Sequence, residues 1–99
     1  MIRYAVAFSP KAETQLSEIE SYLAERFYPA NAERYVLRLT RACHSIALAP
    51  HIGTRRDDLR PGLRTTGIER RVTIYFKVVG QQVLIVGIYY AGRTFEQAP

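Results

Sequence analysis

Apolar and polar positions recur along this chain with two periods. From Arg71 to Val79 the period is two: Val72, Ile74, Phe76 and Val78 point one way, Arg71, Thr73, Tyr75 and Lys77 the other. That is the pattern of a half-buried strand. Val83 to Tyr90 is apolar on both sides, as befits a strand covered on both faces or central in a sheet. A tight turn at Gly80-Gln81-Gln82 joins the two into a hairpin. Leu63 to Ile68 reads as a strand leading into it through Gly67, so the C-terminal half predicts a three-stranded antiparallel meander.

The N-terminal half begins with a strand, Tyr4 to Phe8, with Tyr4, Val6 and Phe8 on one face and the small Ala5 and Ala7 on the other. The period then changes. Ser9-Pro10 opens a helix, Ser as N-cap and Pro at the first helical position. Ala12, Leu16, Ile19 and Leu23 form its apolar stripe. Phe27-Tyr28-Pro29 breaks it, and Pro29 can begin the next helix, from about Ala30 to Leu48. The second stripe is Ala32, Tyr35 or Val36, Leu39, Ala42 or Cys43, and Ile46. Ala49-Pro50 ends this helix. So short a link predicts an antiparallel helical hairpin, and its two apolar stripes require the sheet to cover them. The class is α+β: an N-terminal strand, a helical hairpin, then the meander. At 99 residues this is the size of a single domain, 1–99.

Charge narrows the partner. The net charge is +5, and all but Lys11 and Lys77 of the 14 basic residues are arginine. Arginine makes forked contacts to carboxylate and phosphate, so the partner is acidic: nucleic acid, a protein that works on it, or an acidic peptide. Arg34, Arg38 and Arg41 form a row on the second helix, either a solvated face or a docking surface for such a partner. The loop His51 to Arg64 carries Arg55, Arg56, Arg60 and Arg64 around Asp57 and Asp58. Those two carboxylates have no third ligand in register, so local Arg–Asp pairing is favoured over a metal site.

Other chemistry is sparse. Cys43 is the one cysteine and falls on the apolar side of its helix, as a buried structural thiol does. His44 and His51 have no serine or carboxylate at a telling spacing and read as surface residues. No zinc spacing, phosphate loop or dinucleotide fingerprint is present, and no cofactor is expected. No apolar run reaches the ~18 residues of a membrane span. The N-terminus does not read as a signal peptide, and the expected compartment is the cytoplasm. The face bearing Arg71, Thr73, Tyr75 and Lys77 is either solvated or functional, and periodicity alone favours the former.

Three motifs accompany this element order: FSPKAETQLSEIESYL (8–23), RDDLRPGLR (56–64) and a strand pair ending in Gly92-Arg93. Together they resemble the RelE/ParE superfamily of bacterial toxin–antitoxin toxins over nearly the whole chain, and the middle run is similar to the plasmid-stabilisation ParE branch. The resemblance implies a helical hairpin packed on a curved antiparallel sheet and an antitoxin encoded alongside. It also implies one of two actions: poisoning of DNA gyrase, or cleavage of messenger RNA in the ribosomal A site.

Cleavage of RNA needs a base, an acid and cations for the charged intermediate. RelE-type toxins carry basic residues on the open sheet face and a Tyr or His near the C-terminus. Arg71 and Lys77 lie on that face here, with Arg64 near, and Arg93 matches the arginine after the last strand. No Tyr or His follows Arg93; the tail has Phe95 and Glu96. Tyr90 stands where ParE relatives carry His before Gly-Ala-Arg, and this chain reads Tyr90-Ala91-Gly92-Arg93. The expectation is therefore a gyrase inhibitor that acts by binding and has no catalytic residues. Its target contacts would be Arg56, Arg60, Arg64, Arg71 and Arg93. The acidic antitoxin would be bound by Arg34, Arg38 and Arg41. The alternatives are a ribosome-dependent endoribonuclease using Arg71, Lys77, Tyr90 and Arg93, and an inactive antitoxin-binding member.

Overall fold

The computed structural model describes residues 3–91. The elements run β1 (Ala5–Phe8), α1 (Pro10–Arg26), α2 (Pro29–Ser45) with a 3₁₀ turn at Ile46–Leu48, β2 (Thr54–Arg55), β3 (Arg64–Ile68), β4 (Val72–Val79) and β5 (Gln82–Tyr90). The expected α+β order is the observed one. Ser9 caps α1: its hydroxyl accepts from the Ala12 amide at 3.1 Å, and Pro10 occupies the first turn. The extended backbone of Phe27 and Tyr28 separates the helices before Pro29 starts α2. The second helical run reaches Leu48 as expected, but its last turn tightens to 3₁₀.

The sheet order is β1-β5-β4-β3-β2. The meander β3–β4–β5 is antiparallel throughout, while β1 pairs in parallel with β5, Ala5 opposite Gln82 and Phe8 opposite Ile85. This makes β5 the neighbour of both β1 and β4. The sequence pattern does not announce β2. Two residues long, it extends the meander by pairing Thr54 with Thr65 and Arg55 with Arg64. It is held there by Gly53, whose φ is +80° and where an added Cβ would lie 2.1 Å from the Thr65 carbonyl oxygen.

The main core lies between the helices and one sheet face. Ala12, Ile19 and Leu23 of α1 and Ala32, Leu39 and Cys43 of α2 meet Val72, Ile74 and Phe76 of β4 and Val83, Ile85 and Ile88 of β5. In α2 both members of each undecided pair contribute: Tyr35, Val36 and Ala42 pack partly buried against this core. The parity along β5 changes: Val83 and Ile85 are odd positions, Ile88 and Tyr90 even, yet all face the helices. A β-bulge causes the switch. Tyr75 pairs with Gly87 and Phe76 with Ile85, so Val86 is the extra residue.

The other sheet face corrects the expectation of a solvated surface. Tyr75 is only 3% exposed and Tyr89 4%. They meet edge to face at 5.4 Å and are covered by Leu63, with Leu59 and Val86 alongside. The covering residues come from the arginine-rich loop, which folds back over β4 and β5. Gly87 lies beneath Tyr89: an added Cβ would come within 2.7 Å of that ring.

β1 stops at the bulge, and α1 takes over. The Ser9 amide donates to the Ile85 carbonyl at 2.9 Å, and the Gln15 side-chain oxygen accepts from the Ile88 amide at 2.8 Å. Gln15 thus pins α1 to the strand edge that β1 leaves open. Replacing Gln15 with Ala removes the acceptor of a part-buried amide, and stability should fall by about 1–3 kcal/mol. Gln15→Glu keeps an acceptor and should lose less. Denaturant unfolding of the two variants checks this, and an unchanged midpoint for Gln15→Ala would refute it. Gly53→Ala meets both positive φ and a backbone carbonyl, and should lower stability by roughly 1–3 kcal/mol in the same experiment.

Candidate functional site

The arginines form separate groups. The first is the loop between β2 and β3, which is stapled by its own acids. Arg55 pairs with Asp57 at 2.9 Å and Arg56 with Asp58 at 3.0 Å. The Gly62 amide donates to Asp57 at 2.8 Å, and Gly62 has a φ of +80°. The Arg56 amide donates to the Leu63 carbonyl at 2.7 Å, closing the loop on itself. Arg64 donates from Nε and Nη2 to the carbonyls of Ile52 and His51 at 3.3 and 2.5 Å. The loop therefore holds Arg56, Arg60 and Arg64 in a fixed frame anchored by Leu59 and Leu63. The expected Arg–Asp pairing at Asp57 and Asp58 is observed.

The second group lines a cleft of about 420 Å³ at the closed end of the helical hairpin. Arg34 and Arg38 come from α2, Arg71 from the β3–β4 turn, and Tyr90 from the end of β5. Leu23, Phe27 and Ala32 supply apolar wall. Among the described lining residues Glu69 is the one carboxylate, against three guanidiniums. Arg38 Nε donates to it at 2.9 Å. With the two side chains 51% and 33% exposed, this pair contributes no more than about 1 kcal/mol. Glu69 and Arg70 both take left-handed backbone, φ 55° and 63°, although neither is glycine. The turn thus holds Glu69 over α2 at a conformational cost.

Tyr35 is the centre of the cleft. Its ring meets that of Tyr90 edge to face at 6.2 Å, and the Arg38 guanidinium lies 5.2 Å from the ring centroid. Its hydroxyl is buried and has no hydrogen-bond partner among the described residues. Burial pushes the phenol above its usual range, and Tyr90 and Glu69 add to this against the opposing pull of Arg38 and Arg71. Tyr35 therefore keeps its proton at neutral pH and can donate. Among the described residues the Arg71 guanidinium makes no hydrogen bond or ion pair, although its carbonyl accepts from Ala91 at 2.7 Å.

The structure thus brings together residues that the sequence assigned to different roles. Arg34 and Arg38 of the basic row share the cleft with Arg71 and Tyr90. Arg41 is exposed one turn further on and does not line it. Lys77 faces Leu84 near the hairpin tip, six positions and so roughly 20 Å along β4 from Arg71. Arg71 sits in the turn rather than on one surface with Lys77. Arg93, Phe95 and Glu96 lie outside the described residues. Sequence reasoning missed Tyr35 and Glu69 as site residues. The available signals were a tyrosine beside the basic row and a charged, non-glycine turn at Glu69-Arg70-Arg71.

Elsewhere Cys43, His44 and His51 lie where their sequence context places them. Cys43 is fully buried, and burial pushes its thiol up to about 12, so it is no nucleophile. His44 and His51 are exposed, and His44 lies edge-on to Phe8 at 5.6 Å. No group of three metal-ligating side chains forms among the described residues. No helix in that range is long and apolar enough to cross a membrane.

The Asp57 carboxyl lies below its usual range, first because the Gly62 amide donates to it and then because Arg55 is near. Arg56 lowers Asp58 in the same way, chiefly through its hydrogen bond. A depressed folded value means that the contribution to stability is present above the ordinary carboxylate pKa and is lost as pH falls through the folded one. The Gly62 amide proton shift should therefore titrate with a midpoint below ~3.9, the unperturbed Asp value. A midpoint at or above that value in an NMR titration would contradict the stapled loop.

Comparison with known proteins agrees with this architecture. Residues 6–95 match the family model of the ParE toxin of type II toxin-antitoxin system, parDE. The chain is 32% identical over 78 residues to Toxin ParE1 of two Mycobacterium tuberculosis strains, CDC 1551 / Oshkosh and ATCC 25618 / H37Rv, covering 79% of this chain and 79% of each relative. Its fold is similar to a chain from a chromosomal ParDE TA system of P. aeruginosa. There the TM-score is 0.80 at 22% identity, over 92% of this chain and 99% of the other. With nearly the whole sequence matched and the fold in agreement, the chain belongs to the ParE toxin family of type II toxin–antitoxin systems.

Proposed function

We propose that this toxin inhibits DNA gyrase by binding to it, without chemistry of its own, and that a cognate acidic antitoxin neutralises it in the cytoplasm. The observation that carries the reading is the stapled Arg56–Arg64 loop. Its aspartates pair with Arg55 and Arg56 and leave a basic, pre-ordered projection. Pre-ordering lowers the entropy lost on binding, and arginine suits both a protein carboxylate and the phosphates of gyrase-held DNA. Arg56, Arg60 and Arg64 are the proposed target contacts, with Arg71 and Arg93 as further ones.

The antitoxin reading rests on the exposed row Arg34, Arg38 and Arg41. Leu37, 47% exposed, lies between them, and Tyr22, 43% exposed, is on α1. Apolar residues among cations suit an acidic segment that folds on binding. The nuclease alternative has less support. Arg71 and Tyr90 share the cleft, but Lys77 is remote from it.

Purified gyrase tests the main reading. The wild-type chain should inhibit supercoiling and accumulate cleaved DNA. Arg60→Glu should weaken inhibition at least about tenfold, a loss of ~1.4 kcal/mol, with an unchanged circular dichroism spectrum. The absence of both inhibition and trapped cleavage product would overturn it, and cleavage of messenger RNA on ribosomes, lost with Arg71→Ala, would install the nuclease reading instead. A toxin–antitoxin complex that survives high salt would assign the affinity to Leu37 and Tyr22 rather than to the arginine row, since exposed ion pairs are screened.

A further inference from the structure

We propose that the cleft at the closed end of the helical hairpin is a carboxylate-binding site. Arg71, Arg38 and the Tyr35 hydroxyl receive an acidic side chain of a partner polypeptide, and Leu23, Phe27 and Tyr90 receive the apolar residue beside it. The reading extends the assignment of Arg34 and Arg38 as antitoxin contacts to a site of defined chemistry. Its test uses neither antitoxin nor gyrase, so each can fail alone.

Three observations converge. First, the charge is unbalanced: among the described lining residues three guanidiniums are answered by one carboxylate. The Arg71 guanidinium is left with no hydrogen bond or ion pair among the described residues, beside a cavity of about 420 Å³. Second, the Tyr35 hydroxyl is buried and has no hydrogen-bond partner among the described residues, within electrostatic reach of Arg38, Arg71 and Glu69. Buried hydroxyls almost always find a partner, but this one is left free to donate. Its raised pKa keeps it a donor, which suits an incoming anion.

Third, the chain supplies its own stand-in. Glu69, held in left-handed backbone, hydrogen-bonds Arg38 at 2.9 Å. A carboxylate is therefore the group this rim accepts. The pair is well exposed, so exchanging Glu69 for an external carboxylate loses little. Carboxylate is favoured over phosphate because the remaining wall, apart from Asn31 bonded to Arg34, is apolar and aromatic. Phe27 is 63% exposed at its edge, and the rings of Tyr22 and Tyr90 meet beside it at 5.8 Å, tilted by 55°. Such a wall matches a peptide in which an acid neighbours an aliphatic side chain, and it offers a bare inorganic anion nothing.

The experiment is an NMR titration of the folded chain with acetyl-Asp-Leu-amide, against acetyl-Asn-Leu-amide and inorganic phosphate. The acidic peptide should shift signals of Tyr35, Arg38 and Arg71, and bind about tenfold more tightly than its amide counterpart. Glu69→Gln should strengthen binding at least about threefold by removing the internal competitor. Glu18→Gln changes the net charge equally, on the solvent side of α1, and should leave binding as it was. Arg71→Ala should weaken binding. Tyr35→Phe should also weaken it while the unfolding temperature holds or rises, since the variant discards an unpaired buried hydroxyl; a purely packing role would leave binding unchanged. Equal binding of the two peptides, tighter binding of phosphate, weaker binding by Glu69→Gln, or shifts confined to the 56–64 loop would each overturn the proposal.

Discussion

The bulge at Val86 is the constraint on which the rest of the structure depends. β5 must fill the helix-facing core with Val83, Ile85, Ile88 and Tyr90, and the opposite face with Val86 and Tyr89. A regular strand has a period of two and would turn Ile88 and Tyr90 away from the helices. One extra residue resets the alternation. The Ile88 amide that emerges beyond it is taken by Gln15 of α1, while Ser9, capping that same helix, bonds to Ile85 on the other side of the bulge. A local irregularity in the last strand thus fixes how the first helix sits on the sheet.

The same device sets the two basic surfaces. By turning Tyr90 towards the helices it builds the floor of the cleft with Tyr35. By turning Tyr89 the other way, over Gly87, it gives Tyr75 and Leu63 something to pack against, and so anchors the arginine-rich loop. The cations are thereby divided between opposite sides of one sheet. Contacts to two partners can occupy separate surfaces of so small a chain.

Much of this was legible in the sequence because it depends on local patterns. The Ser9-Pro10 cap, the break at Tyr28-Pro29, the alternation from Val72 to Val78 and the pairing of Asp57 and Asp58 with neighbouring arginines all follow from residues within a few positions of each other. What was not legible depends on distant parts of the chain. The apolar run in β5 was consistent with a strand buried on both faces, but nothing in it marks Val86 as the extra residue. The burial of Tyr75 requires Leu63 to arrive from a loop that reads as polar. Arg71 and Lys77 share a parity that a strand would honour, but Arg71 belongs to the turn, where left-handed Glu69 and Arg70 redirect it into the cleft. Two residues of β2 are too short for any periodicity, and only the approach of Gly53 to Thr65 reveals why they are there.

The pairing of β1 with β5 has a consequence for how the chain is made. Ala5 lies opposite Gln82, and the strand that both β1 and β4 need as a neighbour is emitted by the ribosome after every other element described. Synthesis at about 5–20 residues per second leaves the helical hairpin without its covering surface for seconds. Its apolar stripes cannot be buried until β5 clears the exit tunnel, and pairing over so long a separation also closes slowly. Each nascent chain is therefore incomplete, and open to partners that recognise unfolded apolar segments, for most of the time it takes to build.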